Sequence, residues 1–484
     1  MLFPTTAFAV FFALVFFLHW ALISRSGPWK IFILIASYFF YGFWSWKFVF
    51  MLGGFTIVNH AAAVLIHRAP TGAPIRRRLI AWICVFDLGM LAFFKYFGFL
   101  TLTAFQFLAA LGLQVPEGPM TATLELAGKI VLPVGISFFT FQGLSYVIDV
   151  YRNEIKPGKT LLDFAVYLSF FPQLVAGPIV RAIDLLPQME RPPTRRMPLD
   201  TGRAACLILG GLFKKIVVAN FLAGHMADPV FTDPGSFNAP DAILGVWAYA
   251  LQIYCDFSAY SDIAIGVSLL MGFHFPINFN APYLATSMQD FWHRWHISLS
   301  TWLRDYVFIP LGGSRAGDLI TYRNLILTFL LGGLWHGAGW TFILWGAFHG
   351  LFLAAERLFR RIRQRPIGVE PTGLWAVSWR RIWVFQWVCV SWVFFRSQSM
   401  EDVATLFQSL GNWSGPVTLG SPLFLLALAA GWLIQFMDGT RLEAAWNRFS
   451  RFPAVLQGAV CAAILAVILG LGPRGVAPFI YFQF

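Results

Sequence analysis

LFPTTAFAVFFALVFFLHWAL, residues 2–22, holds no lysine, arginine, aspartate or glutamate, and it decides the class of the fold. A helix needs about 20 consecutive apolar residues to cross a hydrocarbon core. No basic stretch precedes this run, and it is longer than the apolar region of a signal peptide. It reads as a first span that stays in the protein. Working outward, Trp29–Leu52 and Leu79–Leu100 are also long, predominantly apolar runs. The 484-residue chain is 58% hydrophobic and 12% charged, with mean hydropathy +0.67. An ordinary soluble domain is about 25% charged. The expected fold class is therefore an all-α polytopic integral membrane protein, with residues 1–484 as a single membrane domain.

The net charge of +12 is no argument for nucleic acid, because of where the charges lie. Basic clusters fall between apolar runs: Arg25/Lys30, Arg76–Arg78, Arg191/Arg195/Arg196, Arg360–Arg365, Arg380/Arg381 and Arg441–Arg451. That is the positive-inside pattern of a membrane protein. Placing the clusters in the cytoplasm predicts about eleven or twelve transmembrane helices, with the N-terminus outside. Residues 160–180 are apolar but broken by Pro172 and Gly177-Pro178, which predicts a re-entrant or interfacial segment. A span over 203–223 carries Lys214 and Lys215, which lipid would not tolerate cheaply. The five cysteines are scattered without CxxC or metal-ligand spacing, so no metal site is expected. Motifs of P-loop, HExxH and GxSxG type are absent, which removes the common soluble nucleotide and hydrolase chemistries.

Two stretches carry titratable chemistry. FWHRWHISLSTWLRDY (291–306) reads as one amphipathic interfacial helix with Asp290 as its N-cap. Trp292, Trp295, Leu299, Trp302 and Tyr306 lie on one face, and His293, His296, Ser300 and Arg304 on the other. A simply solvated polar face fits this pattern equally well. LGGLWHGAGWTFILWGAFHG (331–350) reads as the tip of a hairpin over about 323–358. His336 sits there among glycines and apolar residues. Desolvation favours its neutral, proton-accepting form, which makes it a candidate general base. Gly332, Gly333, Gly337 and Gly339 permit close backbone approach. His349 and His293 read as structural.

The chain resembles the membrane-bound O-acyltransferase family, in its bacterial alginate O-acetyltransferase branch. The resemblance rests on FFTFQGLSYVIDVYR (138–152), FPQLVAGPIVR (171–181), GLFKKIVVAN (211–220) and IYCDFSAYSDIAIG (253–266). It continues through NFNAPYLATSMQDFWHRWHISLSTWLRDYVFIPLGGSR (278–315), GGLWHGAGWTFILWGAFHG (332–350) and PFIYFQF (478–484). It implies a ring of membrane helices around a thinned centre, with re-entrant or interfacial helices and a tunnel. The family's two characteristic polar positions fall on His336 and His296. The resemblance implies that His336 takes the proton of an attacking hydroxyl, while His296 orients the acyl group or stabilises the oxyanion. Trp335, Arg304, Asp305, Ser300 and Asp256 are expected near the substrate path, Arg304 and Asp305 mainly as a structural pair.

The resemblance also implies an acyl thioester, acetyl-CoA, as donor substrate, with no bound cofactor. It implies a polysaccharide acceptor such as alginate, a separate periplasmic SGNH-type acetyltransferase as partner, and a place in the bacterial inner membrane. D-alanyl transfer, peptidoglycan O-acetylation, or transport without acyl transfer are the alternatives.

Overall fold

The computed structural model describes residues 1–113, 117–175, 177–193, 199–364, 373–437, 444–445, 447–472 and 479–480. All regular structure among them is helical. Arg195, Arg196, Arg365 and Arg441 of the basic clusters, and residues 481–484 of the last motif, lie outside the described residues. The chain groups into two compact units. One is built on Ala13–Met197, the other on Leu2–Phe12, Pro198–His336 and Trp340–Phe484; Met1 and Gly337–Gly339 count with the first.

Among the described residues, six helices are long and apolar enough to cross a membrane: Trp46–Arg68, Pro74–Ala110, Thr201–Thr232, Ala239–Leu270, Trp340–Ile362 and Ala454–Leu471. Thr6–Leu22 and Pro422–Gln435 are apolar but shorter. Several other apolar runs form shorter helices. Ser26–Gly42 and Ile136–Arg152 have 17 residues each. At 1.5 Å per residue that reaches about 25 Å, against ~30 Å for a hydrocarbon core. Pro74–Ala110, in contrast, runs well past its expected 79–100 limits. Ala454–Leu471 buries only Ile468, leaving Val455, Val467 and Leu469 exposed, a surface suited to hydrocarbon.

In the first unit, Ile136–Arg152 is the packed centre, with nearly every side chain buried. A Cβ on Gly143 would stand 2.6 Å from the Phe55 ring, so glycine there lets Trp46–Arg68 come close. The segment expected to break does so. Leu161–Ser169 ends at Phe170, and a second short helix, Phe171–Leu174, restarts with Pro172 in its first turn. Thr160 and Asp163 form a reciprocal cap at its start, and Lys30 pairs with Asp163.

In the second unit, Ala239–Leu270 is buried along almost its whole length. Thr201–Thr232 packs against it with glycine at both contact points. A Cβ on Gly211 would lie 2.9 Å from Ala259 O, and one on Gly266 2.9 Å from Ala204 O. Phe213–Ala219 is wound as a π-turn. In that turn Lys214 and Lys215, adjacent in sequence, both reach the Ala239–Leu270 helix. Lys214 Nζ is 2.6 Å from Asp262 Oδ2, and Lys215 Nζ is 2.9 Å from Asp256 Oδ1. The buried lysines are thus neutralised inside the protein, as charge at membrane depth requires. Asp318–His336 and Trp340–Ile362 form the expected hairpin. Gly333, Gly346 and Gly350 line their crossing. A Cβ on Gly350 would meet Ile326 Cα at 2.8 Å, and one on Gly346 would meet Leu330 Cα at 3.1 Å.

Candidate active site

The expected single helix over 291–306 is two helices, Met288–Arg294 and Ile297–Leu303, followed by a π-turn at Arg304–Phe308. The break falls on Trp295 and His296. His296 has φ 42° and ψ 54°, a left-handed conformation that costs a non-glycine residue free energy. The N-cap is also corrected. Ser287 accepts from Asp290 N at 3.0 Å, while Asp290 bonds Thr286 N at 3.1 Å and Arg294 Nε at 2.7 Å. Asp290 is therefore a third-turn-position partner of the cap and not the cap itself.

The break separates residues that one helix would keep on a common face. His293, Ser300 and Arg304 line a cavity of about 490 Å³, together with Arg357, Arg360 and Glu356. Trp292, Leu303, Phe308 and Phe329 supply much of its apolar wall. Its guanidiniums are paired: Arg304 with Asp305 at 2.6 Å, Arg357 with Asp318 at 3.8 Å, and Arg360 with Glu356. Arg304 and Asp305 thus form the expected pair, at the cavity edge. His296 turns the other way and is fully buried. Neither His296 nor His336 lines the cavity.

His296 packs edge-on to Phe257, with ring centroids 4.7 Å apart, and lies 6.0 Å from Trp335. Its Nδ1 is 3.2 Å from Asn278 Oδ1, while Nε2 is buried without a hydrogen-bond partner among the described residues. It sits in a turn between helices too short to span a membrane, and burial lowers its imidazole pKa to about 3, so the ring is neutral. Asn278 Oδ1 also accepts from Ser298 N at 3.2 Å and from Ser298 Oγ at 2.9 Å. Two backbone bonds reinforce this pairing, Ile297 N to Asn278 O at 2.9 Å and Asn280 N to Arg294 O at 2.9 Å.

His336 ends its helix and is 4% exposed. Aromatic rings surround it: Trp335 at 4.9 Å, Trp345 at 4.9 Å and Phe395 at 5.1 Å. Trp335 therefore touches both histidines and joins them in one buried aromatic cluster. His349 is fully buried, and its Nδ1 accepts from the Trp292 indole at 3.3 Å, a structural role in line with the sequence reading. Asp256 is held by Lys215 and by Ile480 N at 2.8 Å. Its neighbour Phe257 carries that anchor to His296.

Sequence reasoning did not single out Asn278, Ser298, Trp345 or Phe395. Asn278, Ser298 and Trp345 lie inside quoted motifs, and Phe395 lies outside them. They are ordinary core residue types whose importance comes from the histidine they touch.

Residues 158–397 match the model of MBOAT, the membrane-bound O-acyltransferase family. The probable alginate O-acetylase of Azotobacter vinelandii is 40% identical over 86% of this chain and 79% of its own. That of Pseudomonas putida is 36% identical over the full length of both chains. The peptidoglycan O-acetyltransferase of Helicobacter pylori is 37% identical over 80% of this chain and 74% of its own. With its apolar helices and its two motif histidines in one buried cluster, the chain belongs to the membrane-bound O-acyltransferase family and is a multi-pass membrane acyltransferase.

Proposed function

We propose that this acyltransferase takes the acetyl group of acetyl-CoA from the cytoplasmic side of the bacterial inner membrane and passes it on for O-acetylation of an extracytoplasmic polysaccharide, such as alginate. The observation that carries this reading is the meeting of His336 and His296 on the one Trp335 ring, in a chain whose relatives are named for O-acetyl transfer to polysaccharide. The cavity beside His293 has a volume within the range of small-molecule sites. A periplasmic SGNH-type acetyltransferase completes the transfer to polymer.

In the reaction the hydroxyl oxygen bonds to the acyl carbon and the C–S bond breaks. His336 is the general base that receives the hydroxyl proton, which then goes to the departing thiolate. Such a base contributes roughly 10²–10⁴-fold. Its aromatic surroundings exclude water. His296 acts beside it on the reacting groups.

Alkali-released acetate from the envelope and secreted polymers of a deletion strain tests this. The strain is complemented with wild type, His336→Gln and His296→Ala at matched membrane levels. Acetate falls on deletion, and only wild type restores it fully. Unchanged acetate on deletion, or release of ester-linked D-alanine instead, overturns the reading. Full restoration by His336→Gln overturns the base assignment.

A further inference from the structure

The hydrogen bonds around Asn278 settle which nitrogen of His296 carries the proton. The backbone N–H of Ser298 can only donate, and it points at one side-chain atom of Asn278, 3.2 Å away. That atom is therefore the amide oxygen. The other end, Nδ2, donates to Ser261 Oγ at 3.1 Å, which agrees with the same orientation. His296 Nδ1 faces this oxygen at 3.2 Å. Two acceptors cannot bond each other, so Nδ1 is the protonated nitrogen. Ser298 Oγ, 3.4 Å from Nδ1, gives its proton to the same oxygen at 2.9 Å, so toward Nδ1 it stands as a second, more distant acceptor. In the neutral ring the lone pair then sits on Nε2, which is buried and has no hydrogen-bond partner among the described residues.

This arrangement is at odds with a neutral His296 as oxyanion stabiliser, since that role needs an N–H at Nε2. The backbone is built to hold the ring this way. His296 takes a left-handed conformation, and Ile297, next to it, and Arg294, two residues before it, are tied to residues 278–280. A buried acceptor without a partner is costly and calls for a physical explanation.

We propose that Asn278 is a positioning residue of the acyl-transfer site, which fixes the tautomer of His296 so that Nε2 meets the substrate as a hydrogen-bond and proton acceptor. The proposal rests on the acyl-transfer reading above. It places two imidazoles on the path of the hydroxyl proton, with the acyl oxygen left to other donors. No charged group bears on the ring, whose basicity is lowered by burial alone. The titratable groups on the elements packed round it are already accounted for. Asp256 and Lys215 pair with each other beside Phe257. Arg294 pairs with Asp290, and His336 lies on the other side of Trp335.

The test is the pH profile of Asn278→Asp. A carboxylate keeps the acceptor at Nδ1 but adds a negative charge, which favours imidazolium and raises the histidine pKa by about 1–3 units. A group that works as a neutral acceptor then loses activity on the acid side. Inverted membrane vesicles are supplied with labelled acetyl-CoA from pH 3.5 to 9, a range that covers a rise from about 3 by 1–3 units, alkali-labile label is counted, and protein level is followed by immunoblot. The expected result is an acid limb shifted upward by about 1–3 pH units, with a plateau within ~10-fold of wild type.

Uniform scaling without a shift makes Asn278 a structural residue and overturns the proposal. An upward shift of the basic limb instead makes His296 an imidazolium donor and also overturns it. Should Asn278→Asp fail to accumulate, Asn278→Ala and Ser298→Ala decide. The first removes the nearer of the two acceptors described at Nδ1, leaving only the Ser298 hydroxyl at 3.4 Å, and a loss of ~10²-fold is expected. The second keeps the nearer acceptor, and a loss under about 3-fold is expected because one neutral hydrogen bond is worth ~1 kcal/mol. Equal losses in the two overturn the proposal. Wild-type vesicles that transfer no label at any pH refute the acyl-transfer reading itself, whereas active wild type with an unshifted Asn278→Asp refutes only this inference.

Discussion

The crossing of the two hairpin helices sets the position of His336, and Gly346→Ala tests how tightly. A Cβ at residue 346 would stand 3.0 Å from Phe329 C and 3.1 Å from Leu330 Cα, and closer still to the Phe329 carbonyl oxygen. Carbon atoms in ordinary contact are about 3.5–4.0 Å apart. The obstacles are backbone atoms, so no side chain can rotate away. The helices must separate by about 0.5–1 Å, at a cost of ~1–3 kcal/mol for overpacking. Trp345, the residue before Gly346, moves with its helix and carries its ring away from His336, which it now meets at 4.9 Å. A displacement near 1 Å at a reacting centre costs about 10²-fold in rate. Gly346→Ala should therefore lower acetyl transfer by one to two orders of magnitude and reduce thermal stability in detergent. Gly458→Ala is the control. Its Cβ meets nothing within 4 Å, and alanine in a helix is favoured over glycine by ~1 kcal/mol. Wild-type turnover and melting temperature in Gly346→Ala would refute the idea that this crossing holds the site.

Three further outcomes are expected. His296→Asn should reach normal membrane levels, because asparagine accepts the left-handed backbone, while transfer falls by about 10²–10⁴-fold; transfer within 3-fold of wild type would remove His296 from the site. Asp256→Ala leaves Lys215 buried without its carboxylate and should cost about 3–5 kcal/mol, against under ~1 kcal/mol for Asp262→Ala, whose carboxylate is 29% exposed; equal melting shifts would contradict this ranking. Asp163 is partly buried, which raises its pKa, but bonds from Lys30 and Thr160 outweigh that and hold it below the usual carboxylate range. Its contribution to stability is complete above the unfolded value near ~3.9 and is lost as pH falls below it. Melting curves between pH 5 and 3 should accordingly be steeper for wild type than for Lys30→Met, and identical slopes would exclude this pair as their source.

The sequence by itself determined the membrane class, because runs such as residues 2–22 satisfy the hydrocarbon requirement whatever they pack against. It also located the broken segment at Pro172, since proline forbids helix continuation locally. The two histidine motifs were legible as well, because ionisable side chains in apolar surroundings stand out by composition. Periodicity failed at Trp295–His296. A heptad-like pattern over 291–306 looks continuous, yet two backbone bonds to residues 278–280 stop the helix and turn His296 inward. Those partners lie more than a dozen residues away along the chain, so no local rule contains them. The same holds for Lys214 and Lys215. Their cost at membrane depth was evident from sequence, but their carboxylates were identified only when a π-turn brought both onto one helix. Which nitrogen of His296 is free depends on an amide oriented by Ser298 and Ser261, two residues on different helices that only tertiary structure brings around Asn278.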